Sequence, residues 1–403
     1  MRVLVVGAGG VGSAFAHIAA KRGVFEKVVM ADYDLARAER AAKSAAENFS
    51  AVRLDASDED AVVTLLQAEK IDAMLNAIDP RFVMPLYRAA LKAGVTYVDM
   101  AMSLSHPHPS DPHHLPGVKL GDEQFELASD FEERGLLALA GMGVEPGLSD
   151  IFARYAAEKL FSKIDEVGVR DGANLVVDGY DFCPTFSIWT TIEECLNPPV
   201  IWEKGRGWFT TEPFSAPETF VFPAGIGPVE CVNVEHEEVL LIPRWVDCER
   251  VTFKYGLGDD FIGVLKTIHR LGLDSTDLVH VHGGQVSPRD VVAACLPDPA
   301  EIGHRMHGLT CAGTWVTGLG LEGEKREVYL HHVIDNDWCM ENYDSQAVVW
   351  QTAINPIVAL ELIESGAWTG VGLVGPEALP PGPFLDLLND SGAPWACEER
   401  TPA

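Results

Sequence analysis

No CxxC pair occurs in the 403 residues, although eight cysteines (Cys183, Cys195, Cys231, Cys248, Cys295, Cys311, Cys339 and Cys397) are scattered from residue 183 onward. This spacing argues against a zinc ribbon or dithiol redox centre and for reduced, mostly buried thiols. No apolar run approaches the roughly 20 residues that span a bilayer. The N-terminal MRVLVVGAGG lacks a small-residue cleavage site, so a cytoplasmic protein is expected. Bases are scarce: 30 Lys and Arg stand against 60 Asp and Glu, and the formal charge of -30 repels nucleic acid and anionic membranes. Neither is an expected partner. Internal repeats and low-complexity segments are also lacking.

What is present is an alternation. RVLVV (2–6) ends in GAGGVG and is followed by a stretch with helical spacing, SAFAHIAAKRG. KVVMA (27–31), AVRLD (51–55), IDAMLNAI (71–78), TYVDM (96–100) and LLALAGMG then read as strands separated by helical segments. The pattern predicts an α/β fold with a Rossmann-type, doubly wound parallel sheet over residues 1–145. Residues 146–340 read as an inserted α+β domain for substrate binding and dimerisation, so a homodimer is expected. Residues 341–403 read as a long helix and a tail that packs back on the first domain.

Gly7, Gly9 and Gly12 fit GxGxxG between strand and helix. Gly7 permits the tight turn, Gly9 admits a pyrophosphate, and Gly12 allows helix and strand to approach, with Gly10 and Val11 opening the helix toward the phosphates. Asp32 ends the next strand 20 positions after Gly12. Its carboxylate suits the adenosine ribose hydroxyls, whereas a 2'-phosphate would meet negative charge and no arginine, Tyr33 and Asp34 offering no clamp. NAD is therefore expected rather than NADP. Asp55 and Ala56 are placed beside the adenine, with a helix-capping role for Asp55 as the alternative. Asn76, Ala77 and Ile78 are expected to line the path to the nicotinamide.

The segments GAGGVG, NAIDP, YVDM and GMGVEPGLSDIFARYA resemble the saccharopine dehydrogenase superfamily. VEHEEV (234–239), GDD near 258, CLPDP (295–299), GLTCAGTWVTG (308–318) and the Gln346-Ala347 helix resemble its carboxynorspermidine dehydrogenase (synthase) group. MADYDLARAE and FSIWTTIEECLNPPVIWEKG instead resemble the lysine epsilon-dehydrogenase relatives. One departure stands out: the polyamine group tends to have Thr-Gly-x-Pro in its last long helix, where Thr352-Ala353-Ile354-Asn355-Pro356 stands here. The resemblance implies hydride exchange with a carbon-nitrogen bond of an amino-acid or polyamine-like amine through an imine. The polyamine group couples a diamine to aspartate semialdehyde and reduces the imine, usually with NADPH, whereas the lysine relatives oxidise a terminal amine with NAD. A non-catalytic NAD-binding regulator is the reading from a different class.

The family's His-acid-Glu pattern falls on His236 and Glu238, and a histidine beside carboxylates is expected to titrate usefully near neutrality. The alternative is a strand-edge histidine in a structural network. Asp99, at the end of the fifth strand, is a catalytic candidate or a loop anchor, and Glu145 in VEPG a contact for substrate or cofactor. Asp79, Arg81, Phe186, Ser187 and Trp315 are candidate substrate contacts, Trp315 with a simple core role as its alternative. His331 and His332 alternate across a strand, and His280 and His282 lack a third ligand, so no metal is expected. HPHPSDPHHLP (106–116) follows Asp99; its prolines disfavour chelation, and it is expected to form either a rim placing His106 or His108 near the substrate or a stiff connector.

Overall fold

Short apolar runs separated by turn residues build the first sheet of the computed structural model, which describes residues 1–401. Strands β1 (Arg2–Val6), β2 (Lys27–Asp32), β3 (Phe49–Arg53), β4 (Ala73–Asn76), β5 (Thr96–Asp99) and β6 (Leu137–Leu139) pair in parallel in the order 6-5-4-1-2-3. A seventh strand, Gly372–Val374, lies parallel beside β6. Leu4, Val5, Val28, Met30, Met74 and Leu75 are buried, as strands covered by helices on both faces require. Strand order reverses between β1 and β4, and the carboxyl ends of these strands open a crevice there.

Helix α1 (Gly10–Arg22) follows β1 directly. A Cβ on Gly12 would sit 1.9 Å from the Gly7 carbonyl oxygen, so the close contact of strand and helix depends on this glycine.

The second sheet is mixed. Its central strand β7 (Phe161–Ala173) lies between Cys248–Tyr255 and Leu309–Gly320, with Lys325–Asp335 beyond the latter. One face packs on helices Leu148–Lys159 and Glu238–Trp245. The other carries a separate core of Phe220, Phe222, Cys231, Cys311 and Tyr329 under the hairpin Glu218–Phe222 and Gly227–Asn233.

The structure corrects several expectations. The alternative given for His236, a strand-edge position, does not hold: the strand ends at Asn233 and the chain turns into the helix Glu238–Trp245, with Glu237 at its N-cap. Carboxylates at a helix N-terminus are favoured by the unpaired amides there. The long helix expected from residue 341 onward is divided into Asn336–Tyr343 and Ala347–Ser365 by Asp344, whose φ is 49°, and Gln346 caps the second piece. The tail also divides. Gly372–Val374 joins the first sheet, but Ala396–Arg400 pairs with Lys325–Asp335, covering an edge of the second. Ala347–Ser365 is long and apolar enough, by length and composition, to cross a membrane, contrary to the reading of the apolar runs. It is instead a core helix against α1, with Trp350, Ile354 and Ile357 fully buried.

Candidate active site

A cleft of about 880 Å³ opens at the reversal point. Because the strand order is 3-2-1-4-5, it passes from Asp55 and Ala56 to Asp32 and Tyr33, then Gly7, Gly9, Gly10 and Val11, and on to Asn76, Ala77, Ile78, Met100 and Ala101. The second half of the chain contributes Pro184, Phe186 to Thr190, Glu194, Glu237, Ala293, Ala294, Leu296 to Pro299, Val349 and Thr352 to the lining.

The outer half fits a dinucleotide. Gly9 caps α1 without a side-chain hydrogen bond, and a Cβ built on it meets nothing within 4 Å, leaving open space before the helix amides. Gly7 holds a φ of 107° that favours glycine. Asp32 accepts from the amides of Ala8 and Asp34, both at 2.9 Å, which fixes its carboxylate and leaves lone pairs for further donors. Tyr33 is exposed. Asp55 accepts from Ser57 N and Oγ, bonds that hold its carboxyl below the usual range. Asn76 lines the cleft, but its amide is engaged by Tyr97 and Ile78 N. The expectation that no arginine lies near Asp32 is corrected: Arg37, in the first turn of helix Leu35–Ala45, lines the cleft beside it.

The inner half is acidic and buried. Glu145 faces the cleft, and burial followed by the neighbouring Asp171 pushes its carboxyl well above the usual range. Glu194, on helix Ile188–Leu196, is pushed up to about 8 by burial, with Glu237, Glu238 and Glu235 adding to the rise against the opposing His236. Burial also raises Glu237, whose Oε2 has no hydrogen-bond partner. Behind Glu237, His236 Nδ1 lies 2.5 Å from Glu238 Oε2, while Glu238 Oε1 accepts from Ser149 Oγ at 2.8 Å. The imidazole stacks on Phe253 at 3.8 Å. Burial alone would lower the His236 pKa, but Glu238, Glu237 and Glu194 outweigh it and raise it to about 10.

His236 is thus an imidazolium at neutral pH, correcting the expectation of titration near 7. Neither His236 nor Glu238 lines the cleft; Glu237 between them does. The ligand atoms of His236, Glu237 and Glu238 lie within 4.8 Å of one another, a spacing that would admit an ion. Binding one there would require the imidazolium to give up its proton.

Asp79 and Arg81 line the cleft as an ion pair at 2.9 Å, and Arg81 lies 4.2 Å from the ring centre of Trp189. Phe186 and Ser187 also line it, Ser187 capping helix Ile188–Leu196. Asp99 does not. Fully buried, it accepts from Gly141 N and Gln124 Nε2, joining the ends of β5 and β6 as an anchor, and burial raises its carboxyl to about 7. Trp315 is likewise remote: it packs beside the far-face core of the second sheet and donates to Glu327. His106 and His108 do not reach the cleft either. His106 pairs through its backbone with Val118, and His108 Nδ1 accepts from Asp111 N.

Sequence reasoning missed Glu194, Glu237, Thr190, Trp189, Arg37 and Asp298 as cleft residues. Glu237 was adjacent to both named candidates, and Asp298 lies within CLPDP. Glu194 carried no local signal, since only packing brings its helix to the cleft.

A dinucleotide cradle facing buried carboxyls defines a nicotinamide-dependent oxidoreductase. Residues 3–139 match the model of the saccharopine dehydrogenase NADP binding domain and residues 143–393 that of the saccharopine dehydrogenase C-terminal domain, so the chain belongs to the saccharopine dehydrogenase family. Carboxynorspermidine synthase of Vibrio alginolyticus is 30% identical, covering 100% of this chain and 98% of the relative. Carboxyaminopropylagmatine dehydrogenase of Synechocystis sp. is 28% identical over 98% of this chain and 96% of its own. The fold is that of apo saccharopine dehydrogenase (L-Glu forming) from Saccharomyces cerevisiae, with a TM-score of 0.69 at 15% identity over 99% of this chain and 100% of that one. The enzyme is an NAD(P)-dependent oxidoreductase acting on a carbon-nitrogen bond.

Proposed function

We propose that the enzyme forms or oxidises the secondary amine of a carboxyalkylated polyamine, joining a diamine-like cation to an amino-acid aldehyde through an imine, with NAD(H) preferred. The observation that carries this reading is the inner half of the cleft, where Glu145, Glu194 and Glu237 line the wall. Carboxyls so placed match a substrate with more than one ammonium group. The names of the full-length relatives favour a secondary amine over deamination of a terminal one.

The bound nicotinamide supplies or accepts the hydride at C4. The protein positions the carbon-nitrogen bond and handles protons. Glu194 and Glu237 ionise against the substrate ammonium, and Glu145, held protonated by burial and Asp171, exchanges the proton needed to expel or add water. His236 and Glu238 act through Glu237 as positioning residues. Arg81, already oriented by Asp79, takes the amino-acid carboxylate, with Phe186 and Ser187 along the wall. The preference for NAD rests on Asp32, which can accept two ribose hydroxyls but repels a phosphate.

Absorbance at 340 nm tests the proposal. NADH should be consumed with a diamine plus aspartate semialdehyde and not with either alone. Turnover of NAD with a lysine-like amino acid as sole substrate would overturn the coupling reading, and tight NAD binding without any turnover would favour a regulator.

A further inference from the structure

The two cations that line the cleft, Arg37 and Arg81, are each met by a carboxylate from the second half of the chain: Arg37 Nη2 lies 3.4 Å from Asp298 Oδ2, and Arg81 Nη1 3.8 Å from Asp290 Oδ1. Arg37 stands five positions after Asp32 and lines the cleft together with Asp32, Tyr33, Leu54 and Asp55. That is the adenosine end, where an arginine is the group that accommodates a ribose 2'-phosphate. Asp298 lies in the turn Leu296-Pro297-Asp298-Pro299. The flanking prolines restrict its backbone, and its Oδ1 accepts from Ala300 N at 2.9 Å. Its other oxygen is thereby aimed at Arg37.

We infer that Asp298 is a cofactor-specificity residue, occupying Arg37 so that this arginine does not serve a 2'-phosphate. Both partners are 39% exposed, so the pair contributes little to stability; its consequence lies in charge. A phosphorylated ribose would have to displace the Asp298 carboxylate and then sit between it and Asp32. An unphosphorylated ribose leaves the pair intact. The chain therefore carries the arginine suited to NADP and, some 260 residues later, the acid that withholds it.

The inference rests on the proposed preference for NAD, and binding measurements separate the two. Dissociation constants for NADPH and NADH are measured by fluorescence titration for the wild type, Asp298→Asn, Arg37→Gln and the double variant at low ionic strength. Asparagine keeps the acceptor for Ala300 N. The NADH preference ratio of the wild type tests the reading of Asp32 alone. In Asp298→Asn the ratio of NADPH to NADH affinity should rise about tenfold, the scale of removing one charge at this separation, and Arg37→Gln should cancel that rise. An unchanged ratio in Asp298→Asn, or the same rise when Arg37 is already replaced, would overturn the inference whichever cofactor the wild type prefers.

Discussion

The two halves of the cleft handle carboxylates in opposite ways. In the outer half, Asp32 and Asp55 each accept from the backbone amide two residues further along the chain, and for Asp55 the local bonds from Ser57 hold the carboxyl low. In the inner half, Glu145, Glu194 and Glu237 come from three separate segments and lie where burial favours the neutral form. Charge is thus set by local geometry at one end and by packing at the other. A ribose requires a permanent acceptor. A proton-exchanging amine site requires groups that change state when the substrate arrives.

The largest effect should come from the imidazolium that neutralises the inner half. His236→Leu leaves Glu237 and Glu238 buried without their cation, and breaking a buried pair this way costs about 3–5 kcal/mol. Urea unfolding at pH 7 measures it. A loss below about 0.5 kcal/mol, the range of ordinary surface substitutions, would mean that the inner carboxyls need no counter-charge and would remove the contrast.

Next in size is Glu194→Gln, which removes one charge-assisted bond to the amine, of about 1.5–3 kcal/mol. The KM of the diamine should rise roughly 10- to 100-fold, and the dissociation constant of NADH should respond far less. A comparable change in both would show that the halves are not separate. The pH dependence sharpens the same point. Burial raises Glu194 and Glu235 to about 8 in the folded state, against roughly 4.3 in an unfolded chain. Their contribution to stability is full below the unfolded value and is lost as pH rises toward about 8. Diamine affinity should run the other way, increasing as pH rises through about 8, with Glu194→Gln flattening the profile. Asp55, held low by Ser57, has the opposite sign, its contribution being lost only as pH falls below the ordinary carboxylate range.

The same contrast explains what the sequence reveals. The outer site is written in neighbours: GAGGVG, Asp32 and Asp55 each sit at or just after a strand end, and the alternation of strands and helices already implies a parallel sheet. The inner site depends on distant segments meeting. His236 and Glu238 come into view only through family resemblance, their carboxyl partner Glu194 does not, and a count of carboxylates near a histidine cannot tell a pKa of 7 from about 10 without knowing that all are buried. Asp99 and Trp315 mislead for a related reason. A strand end or an aromatic beside glycine marks a position in a sheet, whereas which face it takes and what covers it are settled by packing.

The smallest effect is expected at the feature most conspicuous in the sequence, the His-Pro run after β5. His106 N and O pair with Val118 at 2.8 and 3.0 Å, and His114 pairs with Asp111 at 2.7 Å. His113 lies 3.5 Å from Glu212, and none of the four histidines lines the cleft. The run is thus held by its own backbone and by exposed partners, each contributing little. Replacing His106, His108, His113 and His114 together by glutamine should change kcat and KM by less than about twofold, since substitutions remote from a site act within about 0.5 kcal/mol. A severalfold rise in the KM of the diamine at constant kcat would instead place this segment against the substrate. The inner half would then extend beyond its buried carboxyls to a second, exposed set of groups, and the division between locally set and packing-set charge would no longer coincide with the two ends of the cleft.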